Sequence, residues 1–248
     1  MEVCATPQSA KWFTAREDFP GLTGSRVPAA CHRGYITRQR LWDYKTGAKV
    51  ETFSEYQQKI MEEGVEKEPY ARWDLQEYLG RSSIPCGAFR RDQFMTTPDA
   101  LFVNDPYGIS YVWDEEEGCS LKRIQPGAVT VVELKCPSHR SIVLDKVPPH
   151  ETLTQYIIQA EVHAYCTQAN DSYLYIWTPD ERGSILYHRT FDRHLFETII
   201  VPFTDEFLSY VERKVRPPPE SAKDPLVMRL KAWEQDQARA YRESLSEK

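Results

Sequence analysis

The chain has 248 residues, 41% of them hydrophobic and 27% charged, with a formal net charge of −6. That balance is globular and excludes a mostly disordered or collagen-like chain. No apolar run approaches the ~18 residues needed to span a bilayer, so no membrane partner is expected. The opening Met1-Glu2-Val3-Cys4 lacks the basic start and apolar stretch of a secretory signal, which predicts an intracellular protein of the cytoplasm or nucleus.

Taken in chain order, residues 11–16 fit one or two helical turns, Gly24 and Ser25 mark a fresh helix start, and 36–44 continues in helical pattern after Gly34. From 53 to 79, Tyr56, Ile60, Met61, Val65, Trp73, Leu75 and Leu79 predict two helical pieces. Pro69 interrupts or kinks them and Gly80 ends the run. The period then changes. Residues 84–94, 100–104, 109–113 and 128–135 are short, β-branched or aromatic, and bounded by Gly, Pro and Asp, which predicts a strand meander.

A helix follows over 153–168, then a buried strand over 172–178 with hairpin signals at Pro179, Asp180 and Gly183, and a final helical stretch from about Asp192. Arg216-Pro217-Pro218-Pro219 reads as a stiff linker. Asp224-Pro225 opens a last helix with Leu226, Leu230, Trp233 and Tyr241 on one side, either packed on the body or docked on a partner. The expected organisation is one domain over 1–215, then linker and helix over 216–248.

Six cysteines form no CxxC pair, and the histidines lack metal-ligand spacing, His188 and His194 being six apart. Reduced thiols are expected, with Cys31 and Cys136 as packing residues, and no zinc or iron-sulfur cluster. Charge is unevenly spread. Arg26, Arg33, Arg38, Arg40, Lys45 and Lys49 stand against Asp43 alone, which is either a solvated helix face or a footprint for a phosphate backbone. Trp12, Tyr35 and Trp42 lie near this stretch and read as core aromatics or as stacking platforms for an unpaired base.

The chemistry concentrates in Val129-Thr130-Val131-Val132-Glu133-Leu134-Lys135, where alternation puts Val131, Glu133 and Lys135 on one face of a strand. Thr97-Pro98-Asp99 places an aspartate at the mouth of another strand. Asp99 and Glu133 are suited to share a divalent cation, with Lys135 positioning the attacking water. The same triad also reads as an ion pair on an exposed edge strand. Glu68 offers a third carboxylate and Gln159 an amide for the water or a phosphate oxygen. Taken singly, each reads as a solvated helix residue.

In order, Arg16, Leu22-Thr23-Gly24-Ser25, Gly64 with Glu68, Thr97-Pro98-Asp99, Glu133-Leu134-Lys135, and Tyr156 with Gln159 resemble the lambda exonuclease and YqaJ-type viral recombinases over residues 12–178. These are restriction-endonuclease-like nucleases with the PD-(D/E)xK signature. The resemblance implies an α/β (mixed α+β) fold with a central mixed β-sheet flanked by helices. It also implies Mg²⁺-dependent 5′ to 3′ hydrolysis of one strand at duplex DNA ends, leaving 3′ single strands for recombination or repair. By the same resemblance, two Mg²⁺ ions, replaceable by Mn²⁺, are held by Asp99, Glu133, the Leu134 carbonyl and Glu68. Lys135 and Gln159 position the water, and Arg16 and Ser25, with Arg26 alongside, bind the 5′ phosphate. A single-strand annealing protein is an expected partner, and the state is a homotrimer or a monomer. The alternatives are an endonuclease or RNA-cleaving relative with the same core, and a catalytically silent DNA-binding recombination partner.

Overall fold

The computed structural model describes residues 2–4, 9–84, 86–114, 118–137, 149–179 and 184–246. In chain order the elements begin with β1 (Glu2–Cys4), α1 (Ala10–Glu17), β2 (Leu22–Thr23), α2 (Val27–Ala30), α3 (Arg38–Lys45) and α4 (Glu55–Leu79). Eight strands follow in succession: β3 (Ser83–Ile84), β4 (Ala88–Arg91), β5 (Phe94–Thr96), β6 (Ala100–Val103), β7 (Ile109–Asp114), β8 (Gly118–Ile124), β9 (Val129–Lys135) and, after α5 (Pro149–Thr167), β10 (Asp171–Ile176). The chain finishes with β11 (Ile185–Thr190), α6 (Arg193–Leu195), a π-helical turn (Phe196–Ile200), α7 (Val201–Glu212) and α8 (Pro225–Ser246). No helix among the described residues is long and apolar enough to cross a membrane.

Two compact units result: Met1–Gly24, Phe53–Ile142 and Ala160–Phe191 make the first, and Ser25–Thr52, Val143–Gln159 and Asp192–Lys248 the second. The first holds every strand among the described residues. Its central sheet has the order β11-β10-β9-β6-β3, with β9 and β10 parallel and the other pairs antiparallel. This is the mixed sheet expected from the sequence. β9 is an interior strand, bonded to β10 along Thr130–Lys135 and to β6 along Val129–Val132, and Glu133 is 1% exposed, so the reading of Glu133 and Lys135 as an exposed edge-strand pair fails at the glutamate. Its β-branched run is buried from Val129 through Leu134, as a strand covered on both faces requires. Val132 and Leu134 pack with Ala71 and Leu75 of α4, while Glu133 points to the opposite face, toward the C-terminal half of α5.

The meander expectation needs correcting. β4 and β5 form a hairpin in a second sheet of order β1-β4-β5-β2, and β7 and β8 form a separate two-stranded ribbon. β6 pairs with β9, which follows that ribbon in the chain. The strand expected over 84–94 is cut at Asp92, whose φ of 51° makes a turn there. Leu22 and Thr23 form a strand rather than leading into a helix at Gly24, because both pair in parallel with β5, and α2 begins only at Val27.

Residues 55–79 form one helix, not two, with Pro69 inside it. Proline costs that helix one backbone bond to the carbonyl four residues earlier. Its ends are well defined, by a Ser54/Gln57 capping box and by Gly80 in the left-handed conformation.

In the second unit most of the basic stretch is paired within the fold. Arg26 pairs with Glu51, Arg33 forks onto Glu234 of α8 at 2.7 and 3.0 Å, and Lys49 lies 3.2 Å from Asp43. Arg38 is 1% exposed, bonded to Glu206 and the Phe203 carbonyl, with Phe203, Phe207 and Tyr210 around its guanidinium. These charges organise a core more than they present a basic face. Arg216, at the start of the proline run, bonds Asp43 at 3.0 Å, which ties the linker to α3. The last helix packs, burying Val227, Leu230, Trp233 and Ala238, and Trp233 donates to Asp192 at 3.0 Å.

Candidate active site

The site is assembled on β9. The Asp99 backbone N–H donates to the Val132 carbonyl at 3.0 Å, and its carboxylate accepts the Leu134 N–H at 2.6 Å. Two backbone-anchored bonds thus fix the aspartate against the strand that carries Glu133. Cys86 underpins the same turn, its thiol donating to the Pro98 carbonyl at 3.1 Å. Glu133 is 1% exposed and forms an ion pair with Lys135 through Oε1. Glu68, on α4, lies within electrostatic reach of Lys135, Glu133 and Asp99. Four of the residues chosen from sequence therefore meet in the first unit: Asp99, Glu133, Lys135 and Glu68.

Their charges conflict unless balanced. Burial, then the nearby Glu133 and Glu68 carboxylates, push the Asp99 carboxyl well above its ordinary value. Burial raises Glu68 as well. Burial also acts upward on Glu133, but Lys135 and His163 outweigh it and hold the carboxyl below its ordinary value. Burial raises the Cys136 thiol, beside Lys135, to about 12. The Cys31 thiol is pushed to about 12 by the same cause, so both behave as packing residues.

Glu133 Oε1 is buried and lacks a hydrogen bond of good geometry, although it faces the Lys135 ammonium. Hard carboxylate oxygens, mutual repulsion and this under-satisfied atom are what a Mg²⁺-type cation would resolve, so the donor set fits such an ion in kind. As they stand, no three His, Cys, Asp or Glu side chains among the described residues converge on a common metal position.

The other candidates are placed less closely. Arg16 lies with its guanidinium 4.3 Å from the Trp12 ring centroid, and Trp12 Nε1 donates to Thr97 Oγ1 at 2.9 Å. Arg16 is thereby linked to the Thr97-Pro98-Asp99 turn. Ser25 and Arg26 belong to the second unit, where Ser25 is exposed and Arg26 pairs with Glu51. Gln159 is also assigned to the second unit, on α5 one turn before His163. Of the aromatics, Trp12 and Trp42 have bonded indoles, whereas Tyr35 is 81% exposed with its hydroxyl on that of Tyr156.

Two residues escaped the sequence reading. His163 Nε2 lies 2.5 Å from Glu133 Oε2, and its Nδ1 meets the Thr96 hydroxyl. Its only signal was its position four residues after Gln159, on the same helical face. Arg72, one turn after Glu68, has a buried Nε without a hydrogen-bond partner and bears electrostatically on Glu68 and Cys86. The i,i+4 spacing from Glu68 was visible, but nothing in the sequence told it from an ordinary surface pair.

The first unit thus has a mixed sheet that carries Glu133 and Lys135 on interior strand β9 and Asp99 immediately ahead of β6. Among solved structures, the chain is similar to an alkaline exonuclease, LHK-Exo, from Laribacter hongkongensis, with a TM-score of 0.54 and 19% identity over 83% of this chain and 94% of that one. LHK-Exo in complex with dAMP is similar at a TM-score of 0.56 and 20% identity over the same shares. At these identities the likeness establishes a shared fold. No family model and no curated protein matches the sequence.

Proposed function

We propose that the protein is a Mg²⁺-dependent deoxyribonuclease that degrades one strand of duplex DNA from its 5′ end, leaving 3′ single strands for recombination or repair. The observation that carries this reading is the cluster of Asp99, Glu133, Lys135 and Glu68 around interior strand β9, with Glu133 buried and the other three partly exposed. The exonuclease fold and the motif order from Arg16 to Gln159 support it.

Asp99, Glu133, Glu68 and the Leu134 carbonyl would hold the ion. When bound, Mg²⁺ supplies Lewis-acid stabilisation of the charge that develops on the phosphoryl oxygens. Lys135 donates from its ammonium to the attacking water and orients it toward phosphorus. By the sequence resemblance alone, the Gln159 amide is a candidate to hold a water or a phosphate oxygen. Arg16, with its guanidinium on Trp12 next to the Thr97 turn, binds the terminal 5′ phosphate; Ser25 and Arg26 are further phosphate-binding candidates by the sequence resemblance alone. The DNA ends are the substrate, and an annealing protein that coats the released strand is the fitting partner, for either a monomer or a homotrimer.

The test is an end-labelled duplex incubated with Mg²⁺, with Mn²⁺ and with EDTA. The expected result is metal-dependent loss from the 5′ end. Internal cuts in closed circular DNA or cleavage of RNA would replace the reading by an endonuclease or RNA-cleaving relative. Binding without any cleavage would replace it by a silent DNA-binding partner.

A further inference from the structure

We infer that His163 is a positioning residue that locks the Glu133 carboxylate in its cation-binding orientation, through a buried Thr96–His163–Glu133 relay. The inference rests on the functional reading above and deepens it. Its basis is geometry. His163 is 1% exposed on the C-terminal half of α5, with both ring nitrogens engaged: Nε2 with Glu133 Oε2 at 2.5 Å, and Nδ1 with the Thr96 hydroxyl.

A carboxylate only accepts, so Nε2 carries a hydrogen and donates to Glu133. In the neutral ring Nδ1 then accepts from the Thr96 hydroxyl. Thr96 fixes the tautomer, and the tautomer fixes the carboxylate, the arrangement by which outer partners orient metal-binding groups elsewhere. Because Oε2 is occupied by the imidazole, Oε1 is the oxygen left to face Lys135 and a cation.

A second observation shows that space has been made for the relay. A Cβ on Gly24 would lie 2.5 Å from Thr96 Oγ1 and 3.8 Å from His163 Cε1. Gly24 is also held in place by its N–H bond to the Met95 carbonyl at 2.7 Å. Only a residue without a side chain lets β2 run alongside β5 with the Thr96 hydroxyl turned toward His163. This assigns Gly24 a role that its place in the motif did not explain.

The experiment measures Mn²⁺ affinity directly, by electron paramagnetic resonance of free Mn²⁺ and by calorimetry, on the full chain without DNA. Parent, Glu133→Ala, His163→Leu, His163→Gln and Thr96→Val proteins are compared, with thermal melts to confirm folding. The expected result is a ten- to hundredfold weakening in His163→Leu, the range for loss of an outer partner of a metal-binding group. His163→Gln keeps an N–H donor and should recover most of the affinity, and Thr96→Val should weaken binding by about threefold or more. A merely structural histidine would change the melting temperature and leave Mn²⁺ affinity alone. If parent and Glu133→Ala bind Mn²⁺ equally, the functional reading itself fails. If Glu133→Ala loses binding while folded His163→Leu keeps parent affinity, the inference is overturned. Should His163→Leu not fold, unchanged affinity in Thr96→Val overturns it instead.

Discussion

The Tyr175 hydroxyl of β10 donates to the Asp74 carboxylate of α4, tying the helix that carries Glu68 to the strand that runs beside Glu133. Burial, followed by this bond, raises the Tyr175 phenol to about 12, so it stays a donor throughout the working range of pH. Tyr175→Phe removes the tie with little change in packing. We expect a loss of about 1.5–3 kcal/mol in stability by denaturant melts, typical of a bond to a charged acceptor. DNA cleavage should fall severalfold because Glu68 is less firmly held. Unchanged cleavage in a measurably destabilised variant would detach α4 from the chemistry.

The raised Asp99 carboxyl gives an opposed pair of effects. Asp99→Asn keeps an oxygen to accept the Leu134 N–H and removes a charge repelled by Glu133 and Glu68. In EDTA at neutral pH the variant should melt at a higher temperature than the parent while cleavage is abolished. Glu133→Ala and Lys135→Ala should abolish cleavage too, and Ca²⁺ in place of Mg²⁺ should support duplex binding without cutting. An Asp99→Asn protein that melts lower in EDTA would show that the carboxylate serves the fold.

Much of this site was legible in the sequence, and the unread parts share a cause. Glu133 and Lys135 were found because a strand displays its chemistry at a period of two, within a few residues of itself, and Asp99 because it stands at the mouth of a short strand in Thr97-Pro98-Asp99. His163 was missed because its two partners lie 67 and 30 positions away, on different strands. Arg38 was read as part of a basic face for the same reason, since the Glu206 that neutralises it comes from α7. Pro69 misled in the other direction: a local helix-breaking signal was overridden by capping at both ends and by burial of Ala71 and Leu75.

End preference tests the phosphate pocket. A duplex with a 5′ phosphate should be digested faster than one with a 5′ hydroxyl, and Arg16→Ala should shrink that difference. A charge-assisted contact of about 1.5–3 kcal/mol corresponds to roughly ten- to a hundredfold in rate. Arg26→Ala should have the smaller effect, because its guanidinium is already paired with Glu51. Equal rates on both ends in the parent protein would remove the pocket.

Acid stability should report on Asp43. Burial acts to raise this carboxyl, but its bonds to Lys49 and Arg216 prevail and hold it below the ordinary value. A depressed carboxyl contributes stability above its unfolded pKa and loses it as pH falls through the folded one. Asp43→Asn should therefore be less stable than the parent at pH 7, and the gap should close as the pH is lowered past the ordinary carboxylate range. Urea melts at pH 7, 4 and 2.5 would show this, and a gap that persists at the lowest pH would refute it.

The interior placement of β9 bears on how the protein loses activity. A strand bonded along both edges and covered on both faces exposes its amides to solvent only when the whole sheet comes apart. Amide exchange at Val131 and Val132, which have a paired strand on each side, should thus be governed by global unfolding, whereas the β7–β8 ribbon should open in smaller local events. Glu133 and Lys135 therefore ride on the part of the molecule that opens last, and partial denaturation leaves their strand in register until cooperative collapse of the sheet.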